Sequence, residues 1–174
     1  MKNLKLQIKD LQKNQKGFTL IELLIVIVII AALAVTVFTA LNPVKRVKDA
    51  HDSRRAADVE TILSAIHEYI VDNNGATPAN MPPQDANFYQ LGSGASGCNL
   101  TTTSCTIAAT ACKDLFGAGG AGTLGSYLKS MPIDPLGAPY SATNTGYAIN
   151  YSATGIVTVK ACAGENNTNI QQSR

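Results

Sequence analysis

Tryptophan is absent, histidine occurs twice, and only 15% of the side chains are charged. Each shortage removes a class of function. His51 and His67 stand sixteen residues apart on what reads as one helix, too far to share a site. No CxxC pair accompanies them, so zinc ligation is poorly supported. A formal net charge of +2 is too small to argue for nucleic acid or for acidic partners. A nucleophile elbow, a Gly-rich phosphate loop, a metal signature and a paired-carboxylate motif are all missing. Catalysis therefore has almost no footing, and the chain reads as a non-enzyme without a cofactor. Glycine, proline and turn residues are also lacking between Phe18 and Leu41, which leaves that stretch without a break.

What is present is unevenly spread. The 174 residues suit one modest domain plus an appendage. Of the 14 basic and 12 acidic residues, the first 17 positions hold five lysines and one aspartate. Residues 18–174 keep nine and eleven, a net charge of −2. The positive end is a localised tail: Lys2, Lys5, Lys9, Lys13 and Lys16 against Asp10. The run FTLIELLIVIVIIAALAVTVFTAL, Phe18 to Leu41, then supplies 24 residues, and a bilayer core needs about 20. Its Ile and Val content favours strand in isolation, but its length and lipid burial favour helix. The lysines hold the N-terminus in the cytoplasm and leave everything after Leu41 outside.

Glu22 breaks the apolar pattern. A charge mid-bilayer costs about 2.5–3.5 kcal/mol and needs a partner. Lys16 snorkelling towards it is the plainer account. Cleavage after Gly17 gives a sharper one, because it creates an amine at Phe18, and the amine of a neighbouring subunit can neutralise Glu22 and set register. An ordinary secretory signal, cut after Ala32-Leu33-Ala34, leaves Glu22 unexplained. An uncut signal anchor is the other alternative.

The residues Lys16, Gly17, Phe18, Thr19 and Glu22 within KGFTLIELLIVIVIIAALAV closely resemble the class III signal of type IV pilins and type II secretion pseudopilins. The resemblance covers about 20 of the 174 residues. It implies cleavage between Gly17 and Phe18 by a prepilin peptidase, N-methylation of Phe18, and assembly through Phe18, Thr19 and Glu22. It also implies an inner-membrane form with a cytoplasmic N-terminus, handed by a pilus assembly platform to an extracellular homo-oligomeric filament. Adhesion, motility or DNA uptake, with a surface or DNA ligand, are the functions this architecture serves. A secretion pseudopilin, a minor pilin and a membrane-anchored binding domain that never polymerises share the same features.

Past Leu41 the helix is expected to continue, bent at Pro43 because proline removes one backbone hydrogen bond. Val59, Ile62, Leu63, Ile66, Tyr69 and Ile70 recur at helical spacing, with Arg54, Arg55, Asp58, Glu60 and Glu68 as polar positions between them. Asn73-Asn74-Gly75 stops the helix. Continuous from Phe18, it would run roughly 80 Å. The fold class is therefore α+β: a long N-terminal helical spine packed by a small C-terminal antiparallel sheet. Its parts are a leader (1–17), a membrane or filament-core helix (18–41), an amphipathic continuation (42–74) and a disulfide-braced head (75–174).

Within the head, Pro78, Pro82, Pro83, Gly92-Ser93-Gly94 and the run from Gly117 to Gly122 signal loops. Cys98, Cys105, Cys112 and Cys162 form an even set that reads as two disulfides with three possible connectivities. A local Cys98–Cys105 pair around a Thr/Ser loop, with Cys112 joined to Cys162, is the expected one. A short helix is expected over Thr123–Met131 and turns over Met131–Tyr140. An antiparallel hairpin is expected from Tyr147–Tyr151 and Ile156–Ala161. DPLGAPY and YAINY also resemble the C-terminal sheet region of pseudopilins and related pilins, where some relatives bind calcium. Here Asp134 is the one obvious carboxylate, too few for a cation that takes six to eight oxygens. Asn99, Asn150 and Asn166 open Asn-x-Ser/Thr sequons in a segment whose composition also produces them by chance.

Overall fold

The computed structural model describes residues 17–117 and 122–174. The expected leader, apart from Gly17, and part of the expected glycine turn lie outside the described residues. The chain divides into two compact units that meet after Pro43. The first contains helix α1 (Leu20–Leu41). Among its described residues the second contains helix α2 (Pro43–Asp72) from Val44 onward, six short strands and a 3₁₀ turn at Leu124–Ser126. This is the α+β arrangement read from the sequence.

In the second unit α2 buries the stripe that its periodicity marks. Val59, Ile62, Leu63, Ile66 and Tyr69 are buried, and Ile70 is half-buried beside them. The helix stops at the expected signal. The Gly75 amide donates to the Ile70 carbonyl (2.8 Å), with Asn74 and Gly75 in the left-handed region.

The apolar stripe packs on a four-stranded antiparallel sheet of order β1 (Tyr89–Gln90), β4 (Tyr147–Tyr151), β5 (Val157–Ala161), β6 (Gln171–Ser173). The central β4–β5 hairpin is the expected one, with Ile149 opposite Val159. Alternation along β5 sends Val157, Val159 and Ala161 into the core. On β4 the alternate residue Ala148 is buried too, because the other face is covered by Cys105, Ile107 and Cys162. Those residues belong to or adjoin a small hairpin of β2 (Leu100–Thr101) and β3 (Thr106–Ile107). The sheet thus carries a helix on one face and a hairpin on the other.

The disulfides are Cys98–Cys112 and Cys105–Cys162, which corrects the expected pairing. Hairpin register is the reason. Leu100 pairs with Ile107 and Thr101 with Thr106, and the Cys98 amide donates to the Thr110 carbonyl (2.9 Å). Cys98 therefore faces the strand end near Cys112, while Cys105 sits at the tip and reaches the end of β5. The helix expected over Thr123–Met131 shortens to the 3₁₀ turn, since Gly122 and Gly125 disfavour helix and Pro132 disfavours it in the residue before.

Candidate assembly segment and ionic junction

At the head of α1, Thr19 is the N-cap with extended backbone, and Glu22 is the third residue of the helix. The pair forms a capping box. The Glu22 amide donates to Thr19 Oγ1 (3.3 Å), while the Thr19 amide and hydroxyl each donate to Glu22 Oε2 (2.8 Å). The two side chains thus satisfy two backbone donors that the first helical turn leaves open, the Thr19 amide through Glu22 and the Glu22 amide through Thr19. Thr-x-x-Glu was readable as this motif in the sequence, and attention to the charge alone missed it. Phe18 precedes the cap and is 90% exposed.

No side chain of α1 is buried. At 22 residues it is about 33 Å long, which matches a hydrocarbon core of about 30 Å. Its hydroxyls turn inward on the backbone: Thr36 donates to the Leu33 carbonyl (2.7 Å) and Thr39 to the Thr36 carbonyl (3.0 Å). Among the described residues this is the one stretch of helix long and apolar enough to cross a membrane. After Leu41 the backbone leaves the helical region at Asn42 (φ 39°, ψ 72°), and Pro43 is the first residue of α2. The interruption falls one residue before the proline expected to bend the helix. A residue before proline is pushed out of the α region, and asparagine tolerates left-handed backbone.

The second unit holds another cluster, between α2 and the loops of the head, that the sequence reading did not single out. Arg55 is completely buried. Its Nε and Nη2 donate to the two oxygens of Asp134 (2.8 Å each), and Nη1 donates to Asp52 (2.7 Å) and Glu165 (3.2 Å). Three carboxylates surround one guanidinium, and other donors balance the excess. Asp52 also accepts the amides of Glu165 (3.0 Å), Asn166 (2.8 Å) and Asn167 (2.8 Å). His51 Nδ1 lies 2.7 Å from Glu165 Oε2. Close by, the Tyr147 hydroxyl donates to Asp58 (2.6 Å).

These contacts set the charges. Burial alone would raise Asp52, but the three amides and Arg55 outweigh it and bring the group to about 2 from 3.8. Burial would likewise lower Arg55, yet Asp134, Asp52 and Glu165 hold it above its ordinary value. Glu165 is lowered because His51 and Arg55 overcome its burial. Tyr147 is pushed up by burial and by its bond to Asp58. Asp134, the carboxylate considered for calcium, is an ion-pair partner here and also caps the amide of Leu136 (2.9 Å). Gly146 (φ 83°) backs that turn, and a Cβ there would lie 2.9 Å from Asp134 and Tyr140.

The junction pins two loops to α2, the turn at Asp134 and the stretch 165–167. Its signal was present in the sequence. Stepping back from Val59 at helical spacing reaches Arg55 and then Asp52, so the buried stripe continues through charged residues. His67, the other histidine, meets the Leu63 carbonyl of its own helix (2.9 Å). Among the described residues no three His, Cys, Asp or Glu side chains are grouped to hold a metal.

Residues 12–38 match the family model described as the prokaryotic N-terminal methylation motif, the class III signal of type IV pilins and pseudopilins. No curated protein and no solved structure matches the chain. The motif supports a type IV pilin-like or pseudopilin precursor, a kind of protein that is structural rather than catalytic.

Proposed function

We propose that the chain is the precursor of a structural subunit of an extracellular type IV pilus-like filament. In this reading residues 1–17 are removed by a prepilin peptidase between Gly17 and Phe18, and Phe18 is N-methylated. Residues 18–41 hold the protein in the inner membrane until an assembly platform transfers it to the fibre. There the same residues form the core, residues 42–74 join it to the head, and residues 75–174 face outward.

The observation that carries the reading is the overlap of the methylation motif with a helix that buries none of its side chains. So large an apolar surface needs a cover. Lipid supplies one before assembly and neighbouring copies supply another afterwards, through a head-to-tail contact that does not close. Glu22 supports the same reading. Thr19 engages Oε2, and Oε1 has no partner among the described residues. The Phe18 amine of a neighbour can meet that oxygen, and a buried charge pair of this kind sets register more than it adds stability.

The test is intact-mass and N-terminal analysis of protein sheared from the cell surface. A chain that begins at methylated Phe18 supports the reading. An uncut chain, or one that begins after Ala34 and occurs only in membrane or medium, overturns it in favour of an anchored or secreted binding domain. A processed chain confined to the cell envelope, without surface fibres, points to a secretion pseudopilin.

A further inference from the structure

Three sequons occur in the head, and the fold treats them differently. Asn150 lies in the middle of the sheet on β4, paired with Thr158 of β5. Its side-chain amide donates to the carbonyls of Asp85 (2.9 Å) and Asn87 (2.8 Å), and the residue is buried. Asn166 belongs to the ionic junction: its backbone amide donates to Asp52, and its side-chain amide to Asp49 (2.8 Å) and the Lys45 carbonyl (3.4 Å). Both nitrogens are committed to holding the fold together.

Asn99 differs from Asn150 in its exposure and from both in its bonding, since Asn166 is exposed as well. It is exposed, just after Cys98 and just before β2. No hydrogen bond engages its side chain among the described residues, and the third sequon residue, Thr101, is exposed as well. The intervening Leu100 packs against the cluster of Cys105, Ile107, Ala148 and Cys162. Alternation along extended backbone therefore puts Asn99 and Thr101 on one side, towards solvent, while Leu100 anchors the segment from the other. The Cys98–Cys112 bond and the β2–β3 pairing hold that presentation in place.

We propose that Asn99 is a site of N-linked glycosylation and that Asn150 and Asn166 are not. The acceptor motif is Asn99-Leu100-Thr101, and the co-substrate is a glycan activated as a lipid-linked diphosphate ester. The Asn99 amide nitrogen gives up one proton to a base of the transferase and bonds to the anomeric carbon. The carbon–oxygen bond to phosphate breaks, and the diphosphate ester leaves with its electron pair. The modification requires an exported head, and disulfide formation independently reports export.

The experiment is peptide and non-reduced intact mass spectrometry on the full chain purified from its native cells. The wild type is compared with Asn99→Gln, Thr101→Val and Thr101→Ser. The expected result is a saccharide increment on the peptide containing Asn99. It disappears completely in Asn99→Gln and Thr101→Val and persists in Thr101→Ser, with both disulfides formed in every sample. An unmodified Asn99 peptide from disulfide-bonded protein overturns the proposal, as does an increment on Asn150 or Asn166. Surface fibres built from chains unmodified at Asn99 would overturn it while leaving the filament reading intact.

Discussion

At Arg55 the chain places a guanidinium where the helical repeat asks for an apolar side chain. Taking a charge out of water is costly unless partners replace the lost hydration, and here Asp134, Asp52 and Glu165 do so. Removing one partner strands the rest. Arg55→Ala should therefore destabilise the folded head by about 3–5 kcal/mol, measured by thermal unfolding of the detergent-solubilised chain. A loss below about 1 kcal/mol, the range of exposed pairs, would show that the junction behaves like a surface contact. Asp52 leads to a pH prediction. Its group is held at about 2 in the folded chain against 3.8 unfolded, so its contribution is complete above about pH 4. That contribution falls away as pH drops towards 2. Asp52→Asn should lower stability at neutral pH and flatten the decline between pH 4 and 2, as followed by melting temperature against pH. The decline persists in part, because Glu165 is lowered as well.

Among the elements, length and periodicity decided which could be read. The α2 stripe and the β4–β5 hairpin each carry several residues of a clear repeat, and both form where the pattern places them. Strand β1 has two residues and β6 is Gln171-Gln172-Ser173, without an apolar face, so neither has a repeat to detect. They are strands because β4 and β5 offer them hydrogen-bonding edges. The disulfides follow the same logic, since hairpin register chooses the partner. Cys105–Cys162 closes 57 residues and Cys98–Cys112 closes 14. In the chain-entropy account these are worth about 4 and about 3 kcal/mol. Replacing Cys105 and Cys162 by alanine should thus lower the melting temperature more than replacing Cys98 and Cys112. The reverse order would mean that strain or residual structure, rather than loop length, controls the effect.

For the whole molecule the decisive residue is Glu22, because the proposed function joins membrane storage to assembly through its carboxylate. Glu22→Ala should leave membrane insertion intact and sharply reduce sheared surface filaments. Glu22→Gln separates two causes, since it keeps an oxygen for the capping box but removes the charge. Quantitative blotting of sheared and membrane fractions checks both. Loss of filaments in Glu22→Gln ties assembly to the charge, while normal yield in both variants would remove the charge pair from the proposed mechanism.

The sequence by itself carried the methylation motif and the apolar helix, because the two are contiguous and need no partner from elsewhere in the chain. It also determined the stop of α2 at Asn73-Asn74-Gly75 and the central hairpin, since turn chemistry and short repeats are local. Tertiary structure alone decided the cysteine partners, the edge strands, the partners of Arg55 and the sequon whose asparagine side chain stays unbonded among the described residues. Each depends on residues far apart in sequence, Arg55 with Asp134 and Glu165, Asn150 with Asp85, Cys105 with Cys162. A side chain's chemistry is written at its own position, but its partner is chosen by the packing that brings the two together.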